Sequence, residues 1–243
     1  MPVLQGPRGS LNVVTLGSGP PLLLLHGLFV GSAAQWYFTS APALATRYRV
    51  IMMDLPSHGR SERRADGYDL GSLVADVRAV VEGLELEGVR LAGHSYGGLV
   101  SLAYATRYPI QQLALVDVPL PGQTQDAALS SADALLDAIP GPVREALDKG
   151  GRRARRLLES VGYLATQTSL LADMEAETAP DASKVQCPTL LVYGSKSGCL
   201  DSEAVLRASL AQVQSVMLDG GHFLPAEAPE ALTRALAEFF IDG

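Results

Sequence analysis

Three short stretches carry the groups that acyl chemistry needs. GHSYG, Gly93 to Gly97, fits the pattern G-x-S-x-G. The apolar run VRLA precedes it and the helix-like GLVSLAYATRY follows. A serine on such a strand-to-helix turn is lifted clear of a sheet, and the flanking glycines let helix and strand approach closely. Ser95 is therefore the candidate nucleophile. A hydroxyl alone is weak and needs a base, a group to orient that base, and donors for the oxyanion. GGHFLPAEAPE, Gly220 to Glu230, sets His222 on a loop between the last strand-like and last helix-like segments. Histidine can accept a proton near neutral pH, so His222 is the candidate base. The chain has four histidines. Of the others, His94 is expected beneath the serine, and His26 is expected to brace a loop. HGLF, His26 to Phe29, closes the first buried strand. Main-chain N–H groups of Leu28 and Tyr96 are the candidate oxyanion donors, with the N–H of Phe29 as the alternative to that of Leu28.

These groups need a frame. Apolar runs at 11–16, 21–27, 48–54, 89–93, 112–117, 188–194 and 215–220 read as strands. Several are apolar throughout, as strands buried on both faces are. Amphipathic segments near 33–46, 69–85, 96–107, 202–212 and 228–240 alternate with them. That alternation predicts a mostly parallel, doubly wound α/β sheet with its chemistry at the strands' carboxyl ends. The stretch from Pro119 to about Gln186 breaks the pattern. It reads as a helical insertion after the sixth strand, giving a core of residues 1–118 and 188–243 and a cap or lid of 119–187.

Composition narrows the functions. A chain of 243 residues, 47% apolar and 19% charged, suits one substantial domain with a large core. A net charge of −7 argues against nucleic-acid binding. No run is long enough to span a bilayer, and no secretory leader is legible. The two cysteines, Cys187 and Cys199, flank a strand about 20 Å long, too far apart for a disulfide. A cytoplasmic protein is the expectation. No metal-ligand cluster or glycine-rich phosphate loop stands out, so neither metal nor cofactor is expected. GGRRARRLLES carries Arg152, Arg153, Arg155 and Arg156, which suit a carrier-bound or coenzyme A thioester. The plainer reading is a solvated helix face, since ten acidic residues oppose seven basic ones across 119–187.

HGLF, DLPSHGRS (54–61), GHSYGG (93–98) and GGHFLPAEAPE occur in an order and spacing that resembles the α/β-hydrolase fold family. The resemblance implies an eight-stranded sheet with a helical cap. It also implies Ser95 as nucleophile, His222 as base, structural roles for Asp54 and His58, and Phe29 and Phe223 at the pocket. The acid is less plain. In many relatives it stands three residues after the glycine that ends the strand PTLLVYG, and here that position is Ser197. Two replacements are available. Asp117 ends the neighbouring strand, where some family members keep their acid. Asp201 lies four residues beyond Ser197 but reads as a helix N-cap. Asp117, Asp201 and no acid at all remain open, with Asp117 favoured. The expected function is a serine hydrolase acting on an ester, thioester, lactone or C–C bond of a small apolar substrate. The alternatives are a cofactor-free lyase or dioxygenase with a His–Asp base, and a non-catalytic ligand-binding homologue.

Overall fold

The computed structural model describes residues 3–29, 31–123 and 141–241. An eight-stranded sheet runs through it, in the order β1-β2-β4-β3-β5-β6-β7-β8. The strands are β1 (Val3–Gly6), β2 (Gly9–Leu16), β3 (Pro21–Leu25), β4 (Arg49–Met53), β5 (Arg90–His94), β6 (Gln112–Val116), β7 (Thr189–Gly194) and β8 (Val213–Leu218). Only the β1–β2 and β2–β4 pairings are antiparallel. The others are parallel. Seven strands match the apolar runs. The eighth, β1, was not expected: VLQG is short, half exposed and formed by hairpin pairing with β2, so its own apolar pattern is weak.

The apolar runs have no in–out alternation in sequence because both faces are covered. In space they divide by twos, as the pleat requires. Leu23, Leu25, Ile51, Met53, Leu113, Leu115, Leu191 and Tyr193 enter one core. Leu22, Leu24, Val50, Met52, Ala114, Val116, Leu190 and Val192 enter the other. The first core is covered by helices α3 (Leu70–Gly83) and α4 (Tyr96–Ala105), the second by α1 (Ala33–Tyr37) and α2 (Ala41–Leu44). The expected single helix over 33–46 is split in two. Pro42 lies in the first turn of α2, where its missing N–H costs nothing but would interrupt a continuous helix.

Between β6 and β7 come α5 (Gly141–Asp148), α6 (Arg152–Ala165) and α7 (Thr168–Ala176), followed by a 3₁₀ turn at Ala182–Lys184. Residues 124–140 of the inserted interval, and the side chain of Arg153, lie outside the described residues. Ala154, Val161 and Leu164 form the buried stripe of α6, while Arg152, Arg155 and Arg156 are exposed. The interval is tied to the segment after β4 by several hydrogen bonds. Tyr163 donates to the Arg64 carbonyl at 3.1 Å, and Ser169 donates to the Ala65 carbonyl. Asp173 accepts from Tyr68 N at 3.0 Å, and Glu177 accepts from Leu70 N at 2.6 Å. That segment is itself held by a buried Arg64–Asp76 ion pair at 2.7 Å. After β7 come α8 (Leu200–Ser209), the short α9 (Leu224–Glu227) and α10 (Pro229–Ile241). Among the described residues no helix is long and apolar enough to cross a membrane.

Candidate active site

The sheet reverses its winding between β3 and β5, which are neighbours although β4 separates them in sequence. Such a reversal opens a crevice at the carboxyl ends. Ser95 stands there, directly after β5 and before α4, at φ 54° and ψ −127°. A non-glycine residue held in that region is strained, and only surrounding structure keeps it there. The Ser95 N–H donates to Val116 O at 2.9 Å, and its carbonyl accepts from Gly98 and Leu99 N–H. The flanking glycines are required sterically. A Cβ at Gly93 would lie 2.3 Å from the Gly97 carbonyl oxygen, and one at Gly97 would lie 2.2 Å from that of His26.

His222 follows β8. The Glu227 carboxylate fixes its loop by accepting from Gly221 N at 2.7 Å and Phe223 N at 2.9 Å. His94, packed beneath the turn as expected, donates from Nε2 to the His222 carbonyl at 2.8 Å. Burial, then the neighbouring His222, lowers the His94 pKa to about 4, so it is a neutral strut. On this loop His222 Nε2 lies 2.9 Å from Ser95 Oγ. Its Nδ1 lies 2.7 Å from Asp117 Oδ2. With the proton kept on Nδ1 and donated to the carboxylate, the Nε2 lone pair faces the serine hydroxyl. Ser95 and His222 are 8% and 9% exposed and Asp117 is fully buried, so this line of hydrogen bonds runs from the protein interior to its edge.

Asp117 follows β6 directly, at φ 48°. Its N–H donates to Val192 O at 2.8 Å, which continues the β6–β7 ladder. Register therefore sets the carboxylate between the serine turn and the loop after β7. Asp201 stands elsewhere. Cys199 occupies the N-cap position of α8, and Asp201 lies exposed in the first turn. The expected N-cap falls two residues late, because Ser197 Oγ accepts Cys199 N–H at 3.0 Å and the helix starts earlier.

The loop after β3 packs on the serine turn. A Cβ on Gly27 would sit 3.2 Å from that of Ser95. His26 braces this loop as expected: Nδ1 donates to Gly27 O at 2.7 Å and Nε2 accepts Leu55 N–H at 2.9 Å. Burial lowers its pKa to about 4. Tyr96 opens α4, so its N–H has no intrahelical acceptor and is available to a ligand. Leu28 is buried in the same core cluster. Phe29, at φ 60° and 1% exposed, belongs to the main core. Phe223 is partly buried, its ring 5.4 Å from that of His222. Asp54 accepts from Asn12 Nδ2, Ala33 N and Arg60 N and so ties three segments together. His58 donates to Pro56 O at 2.8 Å, and burial lowers its pKa to about 3.

Two residues make contacts at the site that the sequence does not show. One is Glu227, whose signal was a glutamate following a proline in a short helix start. The other is Ser197, whose hydroxyl lies 2.6 Å from Asp117 Oδ2. Asp117, Cys199 and His222 offer ligand atoms within 4.8 Å of one another. Their 2.7 Å Nδ1–Oδ2 contact is shorter than the roughly 3.3 Å edge between two ligands of tetrahedral zinc, so the trio fits a proton relay better than a metal centre. Cys187 and Cys199 form no disulfide.

Comparison with known proteins agrees with this architecture. A model of the alpha/beta hydrolase family matches residues 22–235. The chain is 32% identical over 238 residues to the dihydrolipoyllysine-residue acetyltransferase component of the acetoin cleaving system of Pseudomonas putida, covering 91% of this chain and 63% of that one. It is 39% identical over 114 residues to the soluble epoxide hydrolase of Corynebacterium sp. (strain C12), covering 46% and 39% respectively. The chain thus spans less than two thirds of either relative. Among solved structures, the enol-lactonase from Burkholderia xenovorans LB400 superposes with a TM-score of 0.79 at 21% identity, covering 99% of this chain and all of that one. The winding reversal, the strained serine after the fifth strand and the match over most of its length lead to one conclusion: the chain belongs to the alpha/beta hydrolase family.

Proposed function

We propose that the protein is a serine hydrolase that cleaves an ester, thioester or lactone of a small apolar substrate through an acyl-enzyme. The observation that carries this reading is the unbroken line from Ser95 Oγ through His222 to Asp117, at 2.9 and 2.7 Å. Ser95 attacks the carbonyl carbon while His222 Nε2 takes its proton. Asp117 holds the Nδ1 proton and stabilises the imidazolium that forms. The Leu28 and Tyr96 N–H groups donate to the developing oxyanion, a contribution of about 3 kcal/mol per donor. His222 then protonates the leaving group. Water, activated by the same imidazole, releases the acyl group. A C–C bond hydrolase would use the same parts.

Acyl chemistry is supported by the name of the Pseudomonas putida relative, an acetyltransferase. The 119–187 interval acts as a lid over a core of 1–118 and 188–243, with Phe223 at the pocket wall. No cofactor is required. The exposed Arg152, Arg155 and Arg156 are available to a carrier or coenzyme A phosphate, while a solvated face remains the plainer reading of them.

A fluorophosphonate probe tests the mechanism. It is expected to add to Ser95, located by mass spectrometry of the labelled peptide, and to fail in His222→Ala. An unreactive Ser95 in the folded parent would leave the His222–Asp117 pair as a base acting directly on substrate, as in a cofactor-free lyase or dioxygenase, or a site that only binds.

A further inference from the structure

The carboxylate of Asp117 has more partners than the histidine. Oδ1 accepts the Gly194 N–H at 2.9 Å. Oδ2 accepts His222 Nδ1–H at 2.7 Å and also meets Ser197 Oγ at 2.6 Å. The direction of that last bond is fixed. Ser197 Oγ already accepts the Cys199 N–H at 3.0 Å, and a carboxylate oxygen has no proton of its own to give. The serine proton therefore points at Oδ2. A separation of 2.6 Å is the length of a charge-assisted O–H···O⁻ bond. Ser197 is itself held by a turn in which its N–H donates to Gly194 O at 3.0 Å, and it is 8% exposed. A buried, backbone-anchored hydroxyl thus grips the same oxygen that serves the imidazole.

We propose that Ser197 is a positioning residue for the acid. Its hydroxyl, with the Gly194 N–H on the other oxygen, fixes the plane of the Asp117 carboxylate so that Oδ2 faces His222 Nδ1. Gly194 N–H alone leaves the carboxylate able to turn about one bond, and the loop after β7 supplies the second point of attachment. The proposal rests on the reading of Ser95, His222 and Asp117 as one catalytic line.

The test is a double-mutant cycle on a p-nitrophenyl ester, with thermal melting followed in parallel. Ser197→Ala is expected to lower kcat about 10-fold to 100-fold, the loss of one bond to a charged group, with KM within about twofold. Ser197→Thr keeps a hydroxyl and restores most of the rate. In Asp117→Asn, where there is no charge to orient, Ser197→Ala changes kcat by less than about twofold. A residue that only stabilises the loop would instead give additive losses in both backgrounds. Should Ser197→Ala fail to fold, Ser197→Cys, close in shape and a weak donor, takes its place in the cycle. Full activity of Ser197→Ala or Ser197→Cys, or additive losses, would overturn the proposal while Ser95 still reacts with the fluorophosphonate. An unlabelled Ser95, or Asp117→Asn as active as the parent, would instead remove the reading beneath it.

Discussion

Asp117→Asn lowers kcat on an activated ester by about 10⁴-fold, roughly 5.5 kcal/mol of barrier, while Asp201→Asn leaves the rate unchanged. The size follows from the donors around the side chain. Gly194 N–H faces Oδ1 and belongs to the backbone, so it cannot turn away. An asparagine must present its carbonyl oxygen there and its amide N–H₂ towards His222 and Ser197. His222 Nδ1 then has to accept rather than donate. Its proton moves to Nε2, the atom that should take the proton from Ser95, and the base is lost without any change in shape. Steady-state kinetics of the two variants decide the assignment. Near-full activity in Asp117→Asn would return the role to another carboxylate or to none.

Acidification below pH 6.5 is expected to unfold the protein well before its carboxylates titrate in bulk. His26 and His94 are lowered to about 4 and His58 to about 3, each chiefly by burial. Their folded pKa values lie below the unfolded value of 6.5, so between these limits the unfolded chain binds protons that the folded chain does not. Stability is therefore full above pH 6.5 and falls as pH drops towards 4. At about 1.4 kcal/mol per unit, each ring contributes on the order of a few kcal/mol, a sizeable share of a typical domain's stability of about 5–15 kcal/mol; the rings repel one another when charged, so the three contributions do not add in full. Burial raises Asp76 and Glu177, and these two act in the opposite direction. Urea unfolding midpoints at pH 7.5, 6.0, 5.0 and 4.5 measure the slope, expected near 4 kcal/mol per pH unit where all three histidines titrate. A midpoint that stays flat to pH 4.5 would contradict the buried, neutral state of these rings.

The sheet and the candidate nucleophile were legible because their signals are local. Leu22 to Leu25 are fully buried in a run that could only be a two-sided strand. Gly93 and Gly97 mark contacts that no side chain permits. The candidate acid was less legible because its place depends on register. Only the β6–β7 ladder, with Asp117 N–H on Val192 O, shows which strand end faces the histidine loop. Ser197 could be read as a missing carboxylate but not as a donor to a present one, since that contact joins residues eighty apart. The extent of α1 and α2 and the start of α8 were each misplaced for a reason of a few atoms: a proline ring in one case, a serine oxygen in the other.

The shared oxygen has an evolutionary corollary. A lineage moving its acid between adjacent strands need not pass through an acid-less ancestor. An intermediate with aspartates at both seats would hold one proton between them, and the protonated one would be a donor to Asp117 once its longer side chain turned aside from the 2.6 Å contact the hydroxyl makes now. Ser197→Asp alone, keeping kcat within about tenfold of the parent, is the rate such a stepping-stone requires; a dead enzyme would close that route.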